Sequence, residues 1–463
     1  MNTAGQVALP DELIAWIEEI AGAPVVHADR QPGGARKEAW FVDVDNGRDT
    51  RELFLRYDRS DPTRTGDPWT LHREASVYLA LQHTDVPVPE VLAVHPDQQA
   101  MLSVRLYGQN WFSRLTDPGE RESTAKHFME KLATLHRLDP GNLDLPYFPP
   151  PTSLPDMVRH ELDEWDRVIE FRGGAPDPQL AFALGWLRRN IPEIDGPVVL
   201  VQGDTGPGNF MYANGKVVAI VDWELAHFGD PMDDIAWLSL RATQEPFTDF
   251  PARLREYEEL SGHPIDDRRV HYYRVMAETK LLVMGHRPEG ASRDANAEGG
   301  GADIGNGLIY GMLHRRLWFE AIAAFLDFDL PPAETRPHRE PADHDWLYGA
   351  LLDQLRDVVV PRITDPLALQ RTKGFARIIK YLRAVSDDGA FYDHCELDDI
   401  AKLVGAPAAS LSEARAAMTE AVRAGGVSDL DYLAYAWRRT ARDNELMRAA
   451  SGALADRHWP ELR

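Results

Sequence analysis

The stretch VLVQGDTGPGNFMYANGKVVAIVDWELAHFGDPMDDIAWLSLR, residues 199–241, sets the reading of the whole chain. It opens on an apolar strand, passes through a tight loop that holds Asp204 and Asn209, and turns at Asn214-Gly215, a hairpin signal. A second apolar strand, Val217 to Val221, ends on Asp222. Asp204, Asn209 and Asp222 are thereby expected at the end of a small two-stranded unit. Gly203, Gly206 and Gly208 crowd the loop, and a loop that gives up so much conformational freedom does so to place particular atoms.

Upstream, the pattern is that of a small sheet. Pro10 to Ile20 reads as a short helix with acids in its first turn, and Val25 to His27 as a first strand. Gly33 and Gly34 precede the alternating run ARKEAWFVDV, which the turn Asp45-Asn46-Gly47 closes, and Glu52 to Tyr57 returns at hairpin distance. Taken alone, the paired glycines fit an ordinary turn as well as a loop whose N–H groups cover phosphates. A helix starts at Leu71, and its Glu74 either reaches Arg56 on the preceding strand or both are separate surface charges. With strands at Val91 to His95 and Gln99 to Leu106, five strands and one helix occupy roughly residues 20–106.

From Trp111 the apolar spacing becomes helical: Glu120 to Leu138, Met157 to Phe171, Pro178 to Asn190, Pro251 to Glu259, Asp266 to Gly285 and Leu308 to Phe325. A Gly/Ala/Asp-rich interruption at 289–305 reads as a mobile loop or lid. The domain boundaries expected are 1–108, 109–330, a polar linker at 331–342, and 343–463. That last part reads as helices at Trp346 to Val358, Ala368 to Val385, Leu397 to Val404, Ser410 to Ala424 and Asp429 to Met447, with a capping box at Ser410 and Glu413. It carries no glycine loop and no metal-ligand spacing, His394-Cys395 reads as ordinary packing, and a dimerisation or docking role is expected.

Composition supplies bounds. With 463 residues, 44% of them hydrophobic, the chain has material for several cores. A net charge of -24 argues against general affinity for nucleic acid or anionic membranes. Cys395 is the only cysteine, which excludes an internal disulfide and a cysteine-rich metal site. The first residues lack a signal-peptide pattern and the apolar runs are too short to span a bilayer, so a cytoplasmic location is expected.

Gln202-Gly203-Asp204 with Asn209 five positions on, Asp222 closing the next strand, then Gly229-Asp230-Pro231 and Asp234-Ile235-Ala236, resembles the signature of the aminoglycoside phosphotransferase (choline kinase-like) family. The resemblance covers roughly residues 20–330. Its wording is closest to the branch found as kinase domains fused to acyl-CoA dehydrogenases and as bacterial hydroxyacyl-CoA kinases, and the helical tail resembles a small domain that accompanies this branch. It implies an α+β, bilobal protein-kinase-like fold, with a small β-rich N-lobe and a helical C-lobe, followed by an all-α C-terminal domain. It further implies ATP and Mg²⁺ as cofactors, Asp204 as the residue that orients the acceptor hydroxyl and takes its proton, and Asn209 and Asp222 as Mg²⁺ ligands. Asp234 would brace the loop. Gly33, Gly34 and Ala35 match the phosphate-covering loop, Arg56 and Glu74 the ATP-positioning pair, and the strand that includes Val104 the hinge that meets adenine.

Two departures from the family pattern stand out. Gln202 occupies the place of the usual histidine and Arg56 that of the usual lysine. The acceptor expected from the resemblance is a hydroxyacyl-CoA thioester. Arg268, Arg269, Arg274, Lys280, His286, Arg287, His314, Arg315 and Arg316 would meet the coenzyme's phosphates or else form a solvated basic face, with Trp111, Phe112 and Trp318 near the acyl chain. The alternatives are a kinase of a free alcohol, hydroxy acid or aminoglycoside-like acceptor, and a catalytically silent ATP-binding scaffold. A protein kinase is disfavoured because Asp222 is followed within a few residues by Gly229-Asp230-Pro231, with no long activation segment.

Overall fold

The computed structural model describes residues 9–31, 37–59, 68–172, 178–193, 195–286, 303–332, 334, 336 and 343–463. The chain divides into two compact units. The first holds Met1–Phe171, Ile191–Tyr273 and Pro460–Arg463; the second holds Arg172–Asn190 and Arg274–Trp459.

In the first unit, α1 (Asp11–Ala21) starts behind Pro10 with Asp11 and Glu12 in its first turn, and Gly22 closes it at φ 65°. Strands β1 (Val25–Gln31), β2 (Glu38–Asp45) and β3 (Thr50–Tyr57) follow, then α2 (Leu71–Leu81), β4 (Val91–Val94) and β5 (Ala100–Val104). The five strands form one antiparallel sheet in the order β1-β2-β3-β5-β4. Burial alternates along β2, so Trp40, Val42 and Val44 point inward. They join Leu13 and Ile17 of α1 and Leu53, Leu55, Ala100 and Leu102 in one core, where each large side chain contributes about 1.5–3 kcal/mol. The five-stranded sheet is the β-rich lobe expected, with two helices against it: α2, the one anticipated within residues 20–106, and α1 ahead of it.

The helical lobe starts with α3 (Pro118–His136), capped by Asp117, and α4 (Leu154–Arg172); α5 (Pro178–Arg189) belongs to the second unit. The central stretch then gives β6 (Val199–Val201), β7 (Phe210–Ala213), β8 (Lys216–Ile220) and β9 (His227–Gly229). Here the pairing differs from the expected two-stranded unit. The hairpin around Asn214-Gly215 joins β7 to β8, whereas β6 pairs with β9. Asp204 and Asn209 lie between the two ribbons, and Asp222 leads out of β8. Helices α6 (Pro231–Gln244) and α7 (Phe250–Ser261) follow, and the boundary between units falls inside α8 (Asp267–Gly285).

The second unit is all helix: α5, α9 (Ile304–Leu326), α10 (Asp345–Gln354), α11 (Pro366–Val404), α12 (Leu411–Arg423) and α13 (Asp429–Ser451). Helix α11 runs unbroken for 39 residues where two helices were expected. The intervening segment contains no proline, and Gly389, worth about 1 kcal/mol against the helix, is buried beside Tyr392 on a packed turn. The Ser410 hydroxyl accepts from Glu413 N at 3.3 Å, while the Glu413 carboxylate reaches Ala409 N at 2.9 Å, one residue earlier than in a strict capping box. No described helix is long and apolar enough to cross a membrane.

Candidate active site

The loop after β6 is held from below by Asp234 on α6. Gln202 N and Gly203 N each donate to its carboxylate at 2.9 Å, and the Thr205 hydroxyl donates as well. His136 Nε2 lies 3.0 Å from Oδ2, the oxygen that also accepts from Gln202 N, and the ring's Nδ1 is 2.6 Å from the Tyr257 hydroxyl. Burial would raise Asp234, but these donors outweigh it and hold the group below the usual carboxylate range. Gly203 sits at φ 83°, and a Cβ there would lie 2.3 Å from the Leu225 carbonyl oxygen.

Within the loop, Asn209 Nδ2 donates to the Asp204 carbonyl at 2.7 Å, and Val221 N donates to the Asn209 carbonyl at 2.9 Å. Gln202 Nε2 donates to the Val221 carbonyl at 2.8 Å. The glutamine therefore ties the loop to the residue before Asp222. Asp222 itself takes a left-handed φ of 64°, a strained choice for a residue with a side chain, and its N–H donates to the Tyr78 hydroxyl at 3.1 Å.

Across from this loop stands a charge cluster from the β-rich lobe. Glu74 on α2 is fully buried; Lys37 Nζ lies 2.9 Å and Arg56 Nη2 3.7 Å from its Oε2. Arg56 also lies 3.6 Å from Asp222 Oδ1, and Lys37 lies 2.9 Å from Glu224 Oε2. Burial opposes the charge on Lys37, but Glu74 and Glu224 outweigh it and raise the ammonium above its ordinary value. Burial likewise would raise Glu74, and Arg56 and Lys37 pull it down. Asp222 goes the other way: dense surroundings, with Glu224, Glu74 and Asp204 nearby, push it up to about 6 against the pull of Arg56.

The structure thus brings Arg56, Glu74 and Asp222 together. Val104 lies on β5 opposite Leu53, with its N–H spent on the Glu90 carbonyl at 2.9 Å. Gly33, Gly34 and Ala35 lie outside the described residues. Two participants escaped the sequence reading. Lys37 precedes β2 by one residue, and no periodicity singles it out. Arg241 lies on α6 seven residues after Asp234, a spacing that places both on one face of the helix, and its guanidinium makes a fork on Asp204: Nε donates to Oδ1 at 2.8 Å and Nη2 to Oδ2.

The family model for the phosphotransferase enzyme family (APH) matches residues 29–273, just over half of the chain, ending where the first unit reaches Tyr273. The chain belongs to the phosphotransferase enzyme family. Among curated relatives, acyl-CoA dehydrogenase family member 11 of Rattus norvegicus is 28% identical over 181 residues, 37% of this chain and 23% of that protein. Its Mus musculus counterpart is 30% identical over 123 residues, 26% of this chain and 15% of that protein. The phosphotransferase chain therefore spans about a quarter or less of the length of these relatives. Among solved structures, a macrolide 2'-phosphotransferase from Brachybacterium faecium is 20% identical with a TM-score of 0.44, covering 70% of this chain and all of that one.

One feature of this phosphotransferase differs from expectation. The basic residues expected on the acceptor side are largely committed to partners inside their own units. Arg269 forks onto buried Asp230, His314 lies 3.0 Å from Glu278, Arg315 lies 3.8 Å from Asp443, and Arg316 donates to Glu320 at 2.9 Å. Arg274 and Lys280 are buried, and Arg287 lies outside the described residues, as does most of the 289–305 interruption. Phe112 and Trp318 are core residues, leaving Trp111, 52% exposed, as the open aromatic of the three. Among the described residues, Glu161, His227 and Asp233, all buried, bring an imidazole and two carboxylates together elsewhere in the first unit. His227 Nε2 lies 3.0 Å from Glu161 and 3.1 Å from Asp233, a geometry that a protonated imidazole satisfies as well as a cation.

Proposed function

We propose that this phosphotransferase uses ATP and Mg²⁺ to phosphorylate the hydroxyl of a small molecule at the Asp204–Asn209–Asp222 loop. The observation that carries the reading is the meeting of two clusters at Asp222: the loop braced by Asp234, and the Lys37–Glu74–Arg56 group of the β-rich lobe. Asp222 fits a hard cation. Its Oδ1 is buried without a hydrogen-bond partner, its backbone is strained to aim it, and its carboxyl is pushed up to about 6, as expected of a group built to sit beside a metal. Asn209, whose amide N–H₂ is spent on the Asp204 carbonyl, has its carbonyl oxygen left as the ligand. When bound, Mg²⁺ would neutralise phosphate charge. The chain's own residues do the rest: Arg56 and Lys37, anchored by Glu74, position the nucleotide's phosphates, and Asp204 orients the acceptor hydroxyl and receives its proton.

For the acceptor, the same reading takes a hydroxyacyl-CoA thioester. Its support is the similarity to acyl-CoA dehydrogenase family proteins. The ion pairs that occupy Arg269, His314 and Arg316 remove those residues from the basic face that would have met the coenzyme, so contacts to its phosphates must come from elsewhere. Purified protein with Mg²⁺ and ATP, offered hydroxyacyl-CoA thioesters, the matching free hydroxy acids, simple alcohols and aminoglycosides, tests the choice. Turnover confined to thioesters is expected; turnover on free alcohols or aminoglycosides alone removes the coenzyme from the account.

We also propose that the C-terminal helices pair with a second copy of the chain. Helix α10 has no buried residue of its own, and its Trp346, Leu347 and Leu351 are exposed, as are Phe375 and Leu382 on α11. Around them α10 carries Asp345 and Asp353, while this part of α11 carries Lys373, Arg377, Lys380 and Arg383, a complement that a two-fold arrangement satisfies twice.

A further inference from the structure

Asp204, the base of the proposed reaction, has both carboxylate oxygens occupied by the Arg241 fork. The surrounding backbone is shaped for that arginine. Gly206 sits at φ 135°, and a Cβ there would lie 2.8 Å from Arg241 Cβ and 3.1 Å from its Cγ. The loop thus gives up a side chain two residues after the base, and the arginine stem crosses the space. At Gly208, by contrast, a Cβ would meet Arg241 Nη1 only at an ordinary contact distance of 3.9 Å. The guanidinium keeps its charge: burial opposes it, but Asp204, Asp222 and Glu245 outweigh that and raise it. The cation thus forks onto the proposed proton acceptor and is near enough to the proposed metal ligand Asp222 to be raised by its charge, which sets it beside the site of phosphoryl transfer.

We infer that Arg241 is a catalytic residue of the phosphoryl transfer, resting on Asp204 before reaction and turning Nη2 onto a non-bridging oxygen of the transferring group during it. This rests on the proposed function and goes beyond it by assigning a second charged contact from α6. In the step, the acceptor oxygen forms a bond to the γ-phosphorus while the bond from that phosphorus to the β–γ bridging oxygen breaks. The electron pair of the broken bond leaves with ADP. The hydroxyl proton passes to Asp204 Oδ2, the oxygen Nη2 has left, while Nε holds Oδ1 and the carboxylate's orientation. Arg241 stays protonated throughout, since a guanidinium is too weak an acid to release a proton at such a site.

An ion pair that merely holds the loop gives a different outcome from a phosphoryl contact, and binding distinguishes them. The probes are Mg·ADP alone and Mg·ADP with aluminium fluoride, a mimic of the phosphoryl group in flight, titrated into the full chain and its R241K, R241M and D204N variants. The parent is expected to bind the fluoride complex at least about 10-fold more tightly than Mg·ADP, and R241M to lose that gain with Mg·ADP affinity kept within about threefold. Hydrolysis of Mg·ATP by water should fall about 10²- to 10³-fold in R241M, with R241K between it and the parent. R241K preserves charge and stem packing, so its loss of the fluoride gain would not be attributable to misfolding. Retention of the gain in both variants overturns the inference, as does a parallel loss of Mg·ADP affinity in both. If D204N abolishes hydrolysis while both Arg241 variants behave as the parent, the inference falls and the proposed function stands; a parent that does not bind Mg·ADP removes both.

Discussion

Lys37 shows how one residue changes the reading of a site. Its ammonium sits between Glu74 and Glu224, closer to Glu74 than Arg56 is, so the buried carboxylate has two cations. K37M leaves Glu74 with the more distant one. Breaking a buried pair from one side costs about 3–5 kcal/mol, and Arg56 should hold the loss near the lower end, read as a shift in urea midpoint. Because Lys37 is raised in the folded state, its contribution is complete below the unfolded lysine value and fades as pH rises through the folded one. The gap between K37M and parent should therefore stay constant from about pH 7 to 9 and narrow only above about 10.4. A gap under about 0.5 kcal/mol at neutral pH would place Lys37 outside the cluster's energetics. Arg56 and Glu74 were legible in the sequence through the family pattern. Lys37 was not, because a single lysine ahead of a strand carries no period; Arg241 carried one, the seven-residue spacing from Asp234.

At the level of elements, α6 does two things for the loop: its Asp234 gathers the backbone of Gln202 and Gly203, and its Arg241 meets Asp204. D234N should destabilise the fold at neutral pH. Asp234 is lowered in the folded state, so its contribution is present above the unfolded carboxylate value of about 3.9 and is lost as pH falls through the lower folded value. Denaturation curves for D234N and parent should thus converge only below about pH 3.9; a gap independent of pH would mean that the carboxylate's charge is not what the donors hold. G203A is a steric test of the same loop. A Cβ 2.3 Å from a backbone carbonyl cannot be relieved by a side-chain rotation, and the positive φ adds strain, so a loss above about 3 kcal/mol is expected from thermal unfolding. The five-stranded sheet and the long helices other than α11 were readable from period and turn signals. The pairing of the central strands was not: β6 and β9 are three residues each, too short for alternation to show which partner they take. In α11 the missing information was tertiary, since the packing that keeps Gly389 helical leaves no local mark.

For the whole molecule, the order of elements separated a sheet-rich part from helical ones, and the bilobal kinase-like fold came from the family resemblance. What the C-terminal helices cover did not, because an amphipathic face is equally compatible with a core, a second copy or another protein. If α10 and α11 pair between copies, sedimentation equilibrium should show a dimer that the double change L351K/F375K converts to monomer without altering nucleotide affinity. A monomeric parent would remove that pairing.

The central claim is that the Asp204 loop moves a phosphoryl group from ATP to a small-molecule hydroxyl, and following labelled γ-phosphate tests it most directly. With Mg²⁺ and the acceptor panel, label should appear on a hydroxyl-bearing acceptor in the parent. In D204A, of preserved fold, the rate should be about 10²- to 10⁴-fold lower. Label that stays on ATP with every acceptor, or a D204A rate within about threefold of the parent, would contradict the account.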